Sequence, residues 1–189
     1  MCEMNRRVLL ASVGLSTAAL AFGASGVTGE EVAPRDSSGK SLRDSLIGAW
    51  ELVSCVETDV KSGEAYRPMG DKPQGLLLYT PDGYMSAQLS ALDRPHFESG
   101  DMYRGKPKEY VTAVRSYLAY TGPYYVDEAR RIVEHEMFVS LFPNWKGQRQ
   151  VRVVRLDEKA LQLSTNQPQL FNGTLKTATI VWRRAKANN

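Results

Sequence analysis

Apolar and polar residues alternate with a period of two along most of the chain that follows Leu42. The first such stretch is GAWELVSCVE, residues 48–57, in which Trp50 and Leu52 share one face. Strict alternation places Cys55 on the opposite face. This period is typical of β-strands that turn one side to a core and the other to solvent.

Short turn sequences separate the alternating stretches. In Thr80–Gly83 (TPDG), Pro81 suits the second turn position and Gly83 tolerates a positive φ at the fourth, so this segment predicts a hairpin between residues 75–79 and 84–89. Comparable turns along the chain predict about nine short antiparallel strands and an all-β meander barrel or sandwich. An up-and-down barrel of about eight strands has room for one small ligand.

One stretch departs from this period. Residues 91–106 have no regular pattern and predict a long loop, and Pro107 then suits the first position of a helix. Apolar residues follow at helical spacing, and Gly122-Pro123 is expected to end the helix. We expect loop and helix to form a lid over one end of the barrel.

The N-terminus predicts an export signal. Arg6-Arg7 precedes an uncharged, apolar stretch from Val8 to about Ala24, so residues 1–26 are interpreted as a signal peptide. The tandem arginines fit a twin-arginine signal, and a plain secretory signal or an uncleaved anchor are the alternatives. The protein is therefore expected to be periplasmic or extracellular, with residues 27–41 as a flexible linker and residues 42–185 as one domain.

Charge and cysteine content exclude several classes. The net charge is only +3, which gives no electrostatic case for binding nucleic acid. After signal cleavage no apolar run is long enough to span a membrane. Cys55 would be the single cysteine, so no intrachain disulfide is expected.

Candidate chemistry lies in residues 133–156. Alternation places His135 on a face with Val133, and Gln150 and Arg152 on a face with Val154. If both faces point inward, these polar groups line one cavity. Arg152 would then receive an acidic or carbonyl oxygen of a ligand, because a buried arginine is costly without an anion. A structural ion pair, or a register that turns Arg152 to solvent, is the alternative.

His135 is the candidate catalytic residue, because an imidazole titrates near neutrality and can move a proton on an enolisable ligand. A buried imidazole bonded to a tyrosine or to the backbone is the structural alternative. The candidate tyrosines have aromatic rings with polar ends, which suit an amphipathic molecule. Packing in the core is the alternative explanation for at least half of these tyrosines. The remaining candidate ligand-binding residues are Tyr79, Tyr84, Gln88, Tyr117, Tyr120 and Tyr124.

No cofactor or metal site is predicted. The chain has two histidines, His96 and His135, and lacks the HxH, HxxxH and CxxC spacings of metal sites. It also lacks any Ser-His-Asp or Cys-His arrangement that would indicate nucleophilic catalysis. Cys55 is expected to be inert.

Several blocks of sequence resemble a known family. The chain is similar to the bacterial and fungal lipocalin-like domain family from about Leu46 to Arg183, and Gly48-x-Trp50 resembles the Gly-x-Trp of lipocalins. The resemblance implies an antiparallel up-and-down lipocalin-like barrel of about eight or nine strands, with one inserted helix as a lid. Arg183 or Arg184 is expected to stack on Trp50 where the first and last strands meet. The runs that carry the resemblance are GLLLYTPDGYMSAQL (75–89), RPHFESGD (94–101), YLAYTGPYYVDE (117–128) and HEMFVSLFPNWKGQRQVR (135–152).

Three functions are compatible with these features. The first is an exported barrel that binds a small, mostly hydrophobic or amphipathic molecule with a polar or anionic group. The second is an isomerase or cyclase for a hydrophobic metabolite, with His135 as acid–base and Arg152 and a tyrosine holding an oxyanion. The third is an envelope interaction protein whose barrel interior is filled by side chains. The family resemblance supports the fold more than any of these functions.

Overall fold

The computed structural model describes residues 39–188. The predicted signal peptide and most of the predicted linker lie outside this range. Two α-helices and eleven strands follow in chain order, with one 3-10 turn at Pro143–Trp145 between β7 and β8. The helices are α1 (Leu42–Leu46) and α2 (Pro107–Arg115), and the strands are β1 (Gly48–Asp59), β2 (Ala65–Tyr66), β3 (Gln74–Tyr79), β4 (Tyr84–Ser90), β5 (Tyr117–Asp127), β6 (Ile132–Glu136), β7 (Val139–Ser140), β8 (Arg149–Leu156), β9 (Ala160–Thr165), β10 (Gln169–Phe171) and β11 (Thr174–Arg184).

Eight of the strands close into an antiparallel barrel. The order around the wall is β1-β3-β4-β5-β6-β8-β9-β11, and β11 pairs with β1 to complete the circle. β2, β7 and β10 are short additions that pair with β1, β5 and β11. Closure leaves no edge in the main wall, and the apolar face of every long strand is buried inside. The predicted all-β barrel is confirmed.

Helix α1 packs beside the first strand. Ser41 caps it by accepting a hydrogen bond from the Asp44 amide, and Leu42 and Leu46 are buried. The indole Nε1 of Trp50 donates to the Leu46 carbonyl oxygen at 2.8 Å. This short helix is absent from the predicted elements because five residues are too few to show a period.

Helix α2 is shorter than predicted. It starts at Pro107 as expected but ends at Arg115, and Tyr117 already pairs with Ser90 of β4. Gly122-Pro123 therefore lies inside a strand rather than at a helix end. Cross-strand pairing outweighs the helical spacing of the apolar residues here. No residue of α2 is buried, so its role as a lid stays a prediction.

All eight strands of the wall contribute side chains to the barrel interior. Alternate residues of each strand point inward, as the period of two predicts. No helix within residues 39–188 is both long and apolar enough to cross a membrane. The largest fully buried side chains are Trp50, Trp182, Tyr79, Tyr124, Leu42, Leu46, Leu77, Met85, Leu89, Met137, Leu161 and His135.

Candidate functional site

Adjacent strands β6 and β8 place their polar residues inside the barrel. His135 is opposite Gln150, and Val133 is opposite Arg152, in the antiparallel register. His135 is fully buried, Gln150 is 7% exposed and Arg152 is 5% exposed. The alternation predicted for both strands therefore holds, and these three side chains lie on one inner surface.

A β-bulge in β1 adds Cys55 to this surface. Leu52 pairs with Trp182 and Ser54 pairs with Val181, so Val53 is an extra residue in β1. The bulge shifts the alternation by one, and Cys55 becomes buried on the same side as Trp50. The prediction that Cys55 faces away from Trp50 is wrong for this reason. Burial, with a smaller effect of the nearby Glu57, raises the pKa of the Cys55 thiol to about 12.

His135 on β6 forms a hydrogen bond with a tyrosine on β3, a strand that is not its neighbour in the wall. The Tyr79 hydroxyl lies 2.7 Å from His135 Nε2, and both residues are buried. His135 Nδ1 is buried without a hydrogen-bond partner among the described residues. Burial, and then the nearby Arg152 charge, lowers the pKa of His135 to about 3, so the ring is neutral at physiological pH.

Arg152 is a buried cation with neutral partners. It donates to Gln150 Oε1 at 3.4 Å and to the Val151 carbonyl oxygen at 3.2 Å. None of the ion pairs within residues 39–188 includes Arg152. A buried charge without an opposite charge is costly, so the site is suited to a ligand that supplies one.

Aromatic rings enclose the histidine. Tyr79 contacts Tyr124 edge-on with ring centroids 4.8 Å apart, and the rings of Tyr79 and Tyr120 lie 5.7 Å and 6.1 Å from that of His135. Trp145, from the 3-10 turn before β8, packs edge-on against Tyr120 at 5.9 Å. Burial raises the pKa of Tyr79 and of Tyr120, which keeps both phenols protonated.

Three of the predicted ligand-binding residues do not join this group. Tyr84 is 54% exposed and Gln88 is exposed on the outer face of β4, because Met85, Ala87 and Leu89 take the inner positions. The Tyr117 hydroxyl donates to Gln88 Oε1 at 3.4 Å on the same outer face. These three side chains therefore lie apart from the interior tyrosines, since each occupies an outward position in its strand.

Further polar residues, which the sequence did not predict for the site, lie close to Gln150 at the start of β8. The Gln169 amide nitrogen donates to Gln150 Oε1 at 3.0 Å, so β10 reaches across to β8. Lys176 Nζ lies 3.4 Å from Glu57 Oε2, and Lys176 is 8% exposed. Glu57 turns inward through the same bulge that turns Cys55, and a bulge of this kind gives no signal in the alternation of β1.

Two surface grooves are separate from this buried group. One, of about 1030 Å³, lies beside α1 and is lined by charged residues that include Arg131, Arg155 and Arg184. The other, of about 330 Å³, lies outside β4, β5 and β7 and includes Gln88 and Leu141. Neither groove is lined by His135 or Arg152. The unpartnered histidine nitrogen and the uncompensated arginine charge both belong to the interior, which makes the interior the candidate site.

The described residues do not bring together three His, Cys, Asp or Glu side chains in a metal-binding arrangement. The polar groups beside His135 are an arginine, two tyrosines and an amide. These groups bind oxygen atoms of organic molecules by hydrogen bonds. The polar groups of this site can therefore form hydrogen bonds with an oxygen atom of a small organic molecule.

Comparison with known proteins agrees with this architecture. The model of the lipocalin-like domain family matches residues 47–185. The 4'-hydroxy-3'-methoxypropiophenone carrier protein ppsC of Aspergillus oryzae is 35% identical over 106 residues, which cover 53% of this chain and 96% of that protein. The family model spans the barrel from the residue before β1 to the residue after β11, and it confirms the resemblance inferred from the sequence. The chain thus belongs to the lipocalin-like domain family.

Proposed function

We propose that this protein is a carrier that binds a small, mostly hydrophobic molecule inside its barrel. In this proposal Arg152 holds a polar or anionic oxygen of the ligand, while Tyr79, Tyr120, Tyr124 and Gln150 surround it. The observation that carries the proposal is the burial of Arg152 without a carboxylate partner among the described residues. An anionic or strongly polar ligand atom would offset the cost of that charge.

The similarity to ppsC supports the same function. Its name describes a carrier of 4'-hydroxy-3'-methoxypropiophenone, an aromatic ketone with oxygen atoms at both ends. A molecule of that class combines an apolar ring with hydrogen-bond acceptors. The aromatic and arginine side chains inside this barrel suit that combination.

The isomerase alternative is less well supported. A general base works best when its pKa lies near the working pH. Burial and the Arg152 charge lower the pKa of His135 to about 3, which makes the ring a weak proton acceptor. Binding is therefore the function we propose, with His135 as a ligand contact rather than an acid–base.

Arg152→Leu tests the carrier function, with Arg155→Leu as a matched control. Both arginines lie on β8, but Arg152 points inward and Arg155 is exposed. Mass spectrometry of an organic extract should find a stoichiometric small molecule in the natural protein and in Arg155→Leu, and much less in Arg152→Leu. Propiophenone, added to the purified proteins, serves as a second probe when the extract is empty.

The folding of Arg152→Leu is checked by its melting temperature. Replacement of a buried charge by an apolar residue of similar size is often neutral or stabilising, so the melting temperature should be kept or raised. A large fall would instead indicate a structural role for Arg152. Empty extracts from all three proteins, together with no binding of propiophenone, would contradict the carrier function and favour a barrel filled by its own side chains.

We also propose that the carrier is exported, with residues 1–26 as its signal. The support is the Arg6-Arg7 pair before an apolar stretch. N-terminal sequencing of the protein recovered from the periplasm or medium of a bacterial host tests the cleavage. Replacing Arg6 and Arg7 by lysine should block export by the twin-arginine route and leave a plain secretory route largely intact.

A further inference from the structure

The hydrogen-bonding state of His135 follows from its contact with Tyr79. The neutral ring carries one N–H, on either Nε2 or Nδ1. If Nε2–H donated to Tyr79, the phenolic hydrogen and the Nδ1 lone pair would both lack partners. If the Tyr79 O–H donates to Nε2 across the observed 2.7 Å, only the Nδ1–H lacks one. Buried unpaired groups are costly, so the second arrangement is favoured.

The other polar groups beside His135 also present hydrogen atoms. A guanidinium has only donors, and Arg152 lies close enough to lower the pKa of His135. Burial raises the pKa of the Tyr120 hydroxyl, so this group stays protonated and can donate its hydrogen. Gln150 lies opposite His135 in the register, and its Oε1 already receives hydrogen bonds from Arg152 and Gln169.

We infer that the part of the barrel interior formed by His135, Arg152 and Tyr120 presents hydrogen-bond donors, and that it selects ligands whose buried polar group is an acceptor oxygen such as a ketone or an oxyanion. His135 contributes its Nδ1–H to that oxygen, beside Arg152 and Tyr120. Tyr79 is a positioning residue, because its hydroxyl fixes which ring nitrogen of His135 carries the hydrogen. This inference rests on the proposed carrier function and specifies the ligand class.

Selectivity for an acceptor is tested with two probes of similar shape. Propiophenone has a carbonyl oxygen, and 1-phenylpropan-1-ol has a hydroxyl group at the same position. The hydroxyl hydrogen would be buried against donors, so the alcohol should bind about 5- to 100-fold more weakly in calorimetric titration. Equal affinities, or tighter binding of the alcohol, would overturn the inference and leave the carrier function intact.

The role of Tyr79 is tested by Tyr79→Phe, with Tyr124→Phe as the control. Each variant loses one buried phenolic hydroxyl, but that of Tyr124 donates to the Thr80 carbonyl oxygen at 3.0 Å and not to His135. Nitrogen-15 spectra of histidine-labelled protein should show His135 protonated at Nδ1 in the natural protein and in Tyr124→Phe. Tyr79→Phe should change that spectrum and reduce the preference for the ketone severalfold.

The spectra test the donor role of His135 and the positioning role of Tyr79 independently of the carrier function. A ring protonated at Nε2 in the natural protein would overturn the donor assignment even if propiophenone binds. An unchanged spectrum and an unchanged ketone preference in Tyr79→Phe would overturn the positioning role. Binding of neither probe would contradict the carrier function itself, and the ligand class inferred from it.

Discussion

The Arg184 guanidinium stacks on the Trp50 ring, with its central carbon 3.7 Å from the ring centroid. This contact joins the last strand of the barrel to the first, as the sequence leads us to expect. Arg184 also donates to the carbonyl oxygens of Ile47 and Ser45, at 2.8 Å and 2.7 Å, and so ties the end of α1 to the closure of the wall. The Arg184 side chain thus connects β11 with both β1 and the end of α1.

Arg184→Ala is expected to lower the free energy of unfolding by about 1–3 kcal/mol, because a cation–π contact and two hydrogen bonds to carbonyl oxygens are lost together. The control is Arg183→Ala, which removes an exposed ion pair with Glu51. Such a pair contributes less than about 1 kcal/mol. Urea denaturation of the two variants measures the difference.

Arg184→Lys should rescue only part of the loss, since lysine lacks the planar group that stacks. Equal costs at positions 183 and 184 would contradict the fastening role of Arg184.

The Cys55 thiol is expected to be unreactive in the folded protein. Its burial, reinforced by Glu57, raises the pKa to about 12, and only the thiolate form reacts. In a Cys2→Ser background, labelling with a thiol reagent at pH 8 should be at least about a hundredfold slower in the folded state than in urea. Labelling at the same rate in both states would show that the bulge at Val53 does not bury this side chain.

Stability is expected to fall with acid because His135 is neutral when buried. The folded pKa is about 3, below the ordinary 6.5, so between these values the unfolded chain binds a proton that the folded chain does not. The contribution of the neutral His135 to the free energy of unfolding is complete above about pH 7. It is lost as the pH falls, by up to about 1.4 kcal/mol per pH unit below pH 6. Carboxylates titrate in part of the same range, so His135→Gln is the comparison. Its free energy of unfolding should depend less steeply on pH between 4 and 6 than that of the natural protein. Identical slopes would count against a buried, neutral histidine.

Gly122 is expected to tolerate no side chain. It lies in β5 between the inward-pointing Tyr120 and Tyr124, and a Cβ there would be 1.9 Å from the Glu136 carbonyl oxygen. That atom belongs to backbone and cannot move aside as a flexible side chain would. Gly122→Ala should therefore cost at least about 2–3 kcal/mol.

Gly147→Ala is the matched control for Gly122→Ala. Gly147 has a φ of +78° and open space around its Cβ position. Its replacement by alanine should therefore lower the free energy of unfolding only by the strain of an alanine at positive φ, about 1 kcal/mol. Melting temperatures of both variants make the comparison. A smaller effect at Gly122 than at Gly147 would refute the close approach of β5 to the end of β6.

The sequence by itself determined the all-β fold and which of its key polar groups share a face of their strand. Alternation in residues 133–156 puts His135 on a face with Val133, and Gln150 and Arg152 on a face with Val154. The structure shows that both faces are buried inside the barrel. This works because a regular strand turns every second side chain to the same side, whatever its partner. The hairpin at Thr80–Gly83 was equally predictable, since its turn chemistry is local.

Only the tertiary structure decided what those groups meet. The bulge at Val53 arises from pairing with β11 and turns Cys55 and Glu57 inward against the simple alternation. Pairing with β4 likewise converts residues after Ser116 from an expected helix into strand β5. The contact of Tyr79 with His135 joins residues on strands that are not neighbours in the wall. These features depend on cross-strand partners and on closure of the barrel, which no local period records. They decide that His135 is buried against Tyr79 with its Nδ1 unpartnered among the described residues.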